Sequence, residues 1–225
     1  MNPIEDLLNQ MIAGMLPQIN SAIQQNIRNN NLDPWGQVAH GSEGIGSIDL
    51  ILCDASVGAN YNVGNMRGLS SITINSITVS NTQDDPQDPA KLVGNISVVA
   101  SMAQNLDAAL WGNVEAKCGF AHPSVSIDGS ATVSGLRASA TGFFSASQTD
   151  DAICLDSISM SNMDVDYSEL SVHVDSLGVF GFLLDPLVNV IVGAFKGQIT
   201  GAIASALKPA VNSEVNKMLP QCQSL

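Results

Sequence analysis

Apolar residues in the first thirty positions recur three and four apart: Ile4, Leu7, Leu8, Met11, Ile12, Met15, Leu16, Ile19, Ile23 and Ile27. That spacing gathers them on one stripe of a helix spanning residues 1–30. Asn2-Pro3-Ile4-Glu5 supplies a cap, a proline at the first helical position and an early carboxylate, and Asn29-Asn30-Asn31 ends the helix. Pro17 predicts a kink. From residue 41 to 175 the period drops to two. Ile51, Cys53, Ala55, Val57, Ala59, Tyr61 and Val63 alternate with polar or small residues, predicting one long strand from Ile48 to Val63.

A second strand, Ser70 to Ser80, has Ile72 and Ile74 on one face and Ile77 and Val79 on the other, which predicts a bulge near Asn75-Ser76. Asp84-Asp85-Pro86-Gln87-Asp88-Pro89 is a turn. Further strands are predicted over Leu92–Leu110, Val114–Phe120, Val125–Val133, Arg137–Ser147, Ile153–Tyr167 and Leu170–Val174. Gly94, Gly112, Gly119, Gly129, Gly135 and Gly142 mark bends in them. A second helix, 184–219, opens at Leu184-Asp185-Pro186-Leu187 and is apolar almost all round in its first turns, as a buried or ligand-facing helix would be. Asn189 and Lys196 interrupt its apolar run well short of a membrane span of about 18 residues.

These elements predict an α+β fold in one domain, 1–225: a long, strongly curved antiparallel sheet wrapped around a long C-terminal helix, with a second long helix at the N-terminus. The lengths agree. The C-terminal helix would extend about 50 Å at about 1.5 Å per residue, and the strand from Ile48 to Val63 roughly the same at about 3.3 Å per residue.

Composition adds a softer core. Hydrophobic residues make up 45% of the chain but aromatics only 4%, which leaves room for a cavity among small aliphatic side chains. Eight Lys and Arg against 21 Asp and Glu give a net charge of -13. That disfavours nucleic acid and anionic membranes as partners. Cys53, Cys118, Cys154 and Cys222 have neither C-x-x-C spacing nor nearby histidines, so two disulfides in an oxidising compartment are expected rather than zinc. Met1 to Asn9 lacks the pattern of a signal peptide, which suggests a mature form carrying an initiator Met. Asn95-Ile96-Ser97 is a glycosylation sequon and agrees with secretion.

No nucleophile elbow, zincin motif or phosphate loop occurs. Asp164, Asp166, Glu169 and Asp175 with His173 form the nearest approach to a catalytic group, and a solvated outer face explains them better. Asp84, Asp85 and Asp88 could grip calcium, but two prolines and no glycine favour a plain loop. No enzyme and no catalytic cofactor is expected.

At Asn31-Leu32-Asp33-Pro34, Gly46-Ser47-Ile48-Asp49-Leu50 and Leu184-Asp185-Pro186-Leu187 the chain resembles the group 7 house-dust-mite allergens. Through them it is similar to the takeout and juvenile-hormone-binding proteins and to half of bactericidal/permeability-increasing protein, all of the tubular lipid-binding superfamily. The resemblance implies an elongated apolar cavity for a lipid, fatty acid, terpenoid or carotenoid-type pigment. The lining it implies is Leu8, Met11, Met15, Leu50, Leu52, Ile72, Ile74, Phe143, Leu187, Ile191, Phe195, Ile199 and Ile203, with the ligand along Leu187 to Leu207. It also implies the disulfides Cys118–Cys154 and Cys53–Cys222.

The functional expectation is a secreted carrier of a hydrophobic small molecule. The alternative is recognition of microbial lipids or a protein partner by an exposed patch near Trp35 or Phe180-Gly181-Phe182. Flat Ser- and Ala-rich strand faces leave room for a homo-oligomer.

Overall fold

The apolar stripe of the first thirty residues folds as helix α1 (Pro3–Asn29) in a computed structural model that describes residues 2–50, 53–175, 177, 181 and 183–224. The Asn2 side-chain oxygen accepts from the Ile4 N–H at 3.1 Å, closing the first turn. Leu8, Met11, Ile12, Met15, Ile19, Ile23 and Ile27 are the buried stripe. Strands β1 (Trp35–Leu50) and β2 (Cys53–Arg67) follow. Next come β3 (Ile72–Asp85), β4 (Asp88–Met102), β5 (Leu106–Lys117) and β6 (Ser124–Ser134). The chain continues through β7 (Arg137–Gln148), β8 (Ala152–Asp166) and β9 (Glu169–Val174) to helix α2 (Leu184–Asn216) and a short β10 (Gln221–Ser224).

Among the described residues the strands make two five-stranded antiparallel sheets. The first runs β1-β2-β5-β6-β9 and the second β10-β8-β7-β4-β3. The predicted bulge is present as a register shift between Ile74 and Ser76. Two predicted strands are corrected. Ile48–Val63 is the end of β1 and most of β2, folded back between Leu50 and Cys53, and Leu92–Leu110 is divided between β4 and β5. Neither break carries a glycine or proline, so alternation ran through both of them. β1 was missed because Gly36, Gly41, Gly44 and Gly46 break its period.

Four short links, at 68–71, 103–105, 135–136 and 167–168, carry the chain from one sheet to the other. They meet at one seam: Met102 N–H donates to Leu136 O, and Ser168 N–H to Ser134 O. Gly68 (φ 102°) and Gly135 (φ 62°) turn the corners there, and a side chain at Gly68 would collide with the Asn105 carbonyl. Helix α2 lies against β1 and β9, the two outer strands of the first sheet, and also against β8 and α1. A sheet whose opposite edges reach one helix is curled around it. The architecture is thus the expected rolled sheet with two long helices.

Asp33 fastens the turn after α1 to the first of these links. Its two carboxylate oxygens accept from Gly68 N–H at 3.1 Å and Ser70 N–H at 2.8 Å. Burial pushes this carboxyl up. The bonds from Ser70 and Gly68, with the Arg28 charge, outweigh that effect and hold it below its ordinary value. A depressed carboxylate contributes stability that is complete above its unfolded value of about 3.9 and is lost as pH falls through the lower, folded one. Asp33→Asn should therefore cost on the order of 1 kcal/mol at neutral pH, since the group is only half-buried. It should also flatten the loss of stability below about pH 4. Urea melts of both proteins between pH 2 and 7 check this, and parallel curves would refute it.

The disulfides correct the implied pairing. Cys53 joins Cys118, and Cys154 joins Cys222. Cys53 opens β2 and Cys118 follows β5, neighbours in the first sheet, while Cys154 and Cys222 face each other on β8 and β10 in the second. Cys118 and Cys154 belong to different sheets, so ladder neighbours take the bonds instead.

Candidate ligand site between the helices and the second sheet

A sheet that has not closed on itself leaves backbone donors and acceptors bare along its outer strands. Helix α1 runs antiparallel to β3 and covers that edge with side chains. Asn9 accepts from Val79 N–H at 2.8 Å and donates to Val79 O at 3.3 Å. Asn20 does the same at Ile74, at 2.7 and 3.1 Å. Gln24 donates to Ile72 O, and Glu5 accepts from Thr82 N–H. A carboxamide presents one acceptor and a donor pair, so it can replace a missing strand residue.

Helix α2 treats β8 alike. Asn216 accepts from Ile158 N–H and donates to Ile158 O, Asn212 accepts from Met160 N–H, and Lys208 donates to Ser161 O. The remaining stretch of that edge, Ala152–Leu155, pairs with β10. The helices also join each other. Asn26 donates to Glu214 Oε1 at 2.8 Å, and Lys217 ion-pairs with the same oxygen at 2.6 Å. Glu214 is only 8% exposed.

The two helices thus bridge the opening of the second sheet and leave a partly open cavity of about 20 Å³ beneath them. Ile72 and Ile74 of β3, Val98 and Ala100 of β4, Ala138 and Ala140 of β7 and Met163 of β8 line it from the sheet. Asn20, Ile23, Leu207 and Val211 line it from the helices. Space for about one water is all it offers. On the outer side of the same helix pair lies an open groove of about 570 Å³, bordered by Asn26, Leu32, Trp35, Ala202, Ala206, Pro209 and Ala210 among others.

Of the residues expected to line a ligand, Ile72 and Ile74 reach this cavity. Leu8, Met11, Met15, Leu187, Ile191, Ile199 and Ile203 are buried in the core and do not line it. Leu52 and the side chains of Leu50 and Phe195 lie outside the described residues. Phe143 is corrected: it is 61% exposed on the outer face, while Phe144 points inward. Ala138, Ala140, Phe144 and Ala146 share the inner face by alternation, which excludes Phe143. The space lies beside Leu207 and Val211, at the C-terminal end of the expected Leu187–Leu207 stretch and one turn past it.

The alanines and the edge-capping amides were missed altogether. Alternation from Ala138 onward would have found the first. Asn and Gln at helical spacing beside an apolar stripe would have found the second.

Asp164, Asp166, Glu169, His173 and Asp175 are all exposed, and they are divided between two sheets. Asp85 and Asp88 accept from Gln87 and Ala90 N–H within their own turn, and Asp88 pairs with Lys91 at 3.3 Å. Helix α2 is apolar and long enough, by length and composition, to cross a membrane. In this fold it buries Leu187, Ile191, Ile199, Ile203, Leu207, Val211 and Val215 against the sheets.

No protein-family model matches the sequence, and no curated protein matches it. Solved structures with a similar outline include a lipopolysaccharide binding protein, at 14% identity and a TM-score of 0.36, covering 95% of this chain. The chain spans only 38% of that protein's length. Takeout 1 of Epiphyas postvittana is similar at 8% identity and a TM-score of 0.41, covering 95% of this chain and 92% of its own.

Proposed function

We propose that this chain is a secreted carrier that takes a hydrophobic small molecule or lipid between α1, α2 and the second sheet. The observation that carries the proposal is the partly enclosed apolar cavity with an alanine floor, Ala100, Ala138 and Ala140, between the second sheet and the two helices. A cavity of about 20 Å³ admits no acyl chain as it stands, so loading requires the helices to part. Their contact suits that step. The groove above it is walled on the α2 side by the small side chains of Ala202, Ala206 and Ala210, and Asn26 and Glu214 form a polar tie between the helices. Affinity would come from apolar surface removed from water, roughly 25 cal/mol per Å² before ordering costs. Two disulfides support an oxidising, extracellular setting.

The test is organic extraction of protein from its native source followed by mass spectrometry, beside uptake of a fluorescent fatty acid. Ala138→Leu with Ala140→Leu should fill the floor and reduce uptake at least tenfold, at an overpacking cost of about 1–3 kcal/mol each. A blank extract together with no uptake by the wild-type chain would end the carrier reading.

The small size of the cavity and the open groove beside Trp35 favour a second reading, surface recognition of lipid aggregates or a protein partner. Liposome sedimentation separates the two. A carrier removes monomeric ligand and stays in the supernatant, whereas a recogniser pellets with the vesicles.

A further inference from the structure

Asn95-Ile96-Ser97 is the one Asn-x-Ser/Thr sequence in the chain, and it falls in the middle of β4 rather than in a loop. Alternation sends Ile96 into the core, 1% exposed, and turns Asn95 and Ser97 outward. Directly across the ladder from Asn95, on the same outer face, stands Phe143 of β7. Cross-strand partners of this kind have Cβ atoms about 5 Å apart. Their neighbours in the row are Ser80 on β3 and Ser159 on β8.

A phenyl ring 61% exposed amid serines gains nothing from the core, which Phe144 already fills. Two shallow depressions of about 540 and 430 Å³ flank the ring, and Asn95 borders both. Among the described residues no hydrogen bond holds the Asn95 amide. A pyranose ring has an apolar C–H face that lies well on an aromatic face, where C–H edges meet the negative π surface.

We propose that Asn95 is an N-glycosylation site and that its first sugar lies over Phe143, making the ring a built-in platform for the glycan. The proposal rests on the secreted reading above. In the transfer, the Asn95 amide nitrogen attacks the anomeric carbon of a lipid-pyrophosphate-linked oligosaccharide. A C–N bond forms, the anomeric C–O bond to phosphate breaks, the lipid pyrophosphate departs and the amide loses one proton.

The experiment is secretion of the full chain from a eukaryotic host, with intact mass measured before and after amidase release of N-glycans. Wild type should carry a glycan at Asn95, and Asn95→Gln should carry none. Phe143→Ala should lower the Tm of the glycosylated protein by about 2–4 °C and leave that of the Asn95→Gln background unchanged or higher. Endoglycosidase trimming to a single sugar should preserve the difference, because only that residue reaches the ring. An unmodified Asn95 in folded, secreted protein overturns the proposal, and so does an equal Phe143→Ala effect in both backgrounds. Fatty-acid uptake measured on the same preparations reports on the carrier reading alone, so its failure is distinguishable.

Discussion

Replacing Cys154 and Cys222 by serine is expected to destabilise the protein by about 4 kcal/mol, the value for opening a loop of this length in the chain-entropy account. The bonded residues are 68 apart, and the Cys53–Cys118 pair, 65 apart, should cost nearly as much. For a chain of this size the drop in Tm is about 10 °C. The C-terminal bond has a second consequence. Every residue of β10 is exposed, so little besides the ladder and the disulfide keeps that strand on β8. Thermal unfolding of the two double variants checks the size, and a shift below about 1 kcal/mol would contradict it. Peptide mapping checks the connectivity, because Cys53→Ser with Cys118→Ser should leave no free thiol.

Asn9→Ala combined with Asn20→Ala is expected to cost at least about 3 kcal/mol. Each substitution strands a β3 N–H and C=O beneath a helix, and a buried unpaired group costs about 1–3 kcal/mol. Gln10→Ala with Gln25→Ala, exposed amides on the same helix, should change stability by no more than about 0.5 kcal/mol. The bared β3 edge should also promote self-association, since free ladder groups pair with other chains. Denaturant midpoints and light scattering measure the two effects. Equal losses in both double variants would show that the edge bonds contribute nothing.

What could be read from the sequence was whatever depends on local period. The stripe and cap of α1, the start of α2 and the bulge beside Asn75 each follow from residues within one or two turns of one another. The β1–β2 reversal did not, because Leu50-Ile51-Leu52 contains no residue that favours a turn. The disulfide pairing did not either, since it depends on which strands become neighbours, and that is decided by the roll of the sheets. The cavity fell between these cases. Ile23, Ile72, Ile74, Leu207 and Val211 in its walls belong to correctly read stripes, but its position depends on where Ala100, Ala138 and Ala140 come together from two strands, which no single segment reveals.

The covering of the second sheet also has an order in time. The groups that cap β3 lie on α1, 48 to 77 residues upstream, so they have already been synthesised when β3 emerges. Those that cap β8 lie 47 to 72 residues downstream. At about 5–20 residues per second, a nascent chain would hold the β8 edge uncovered for several seconds or more. During that interval β8 is the strand where a chaperone would bind or a misassembled neighbour would add.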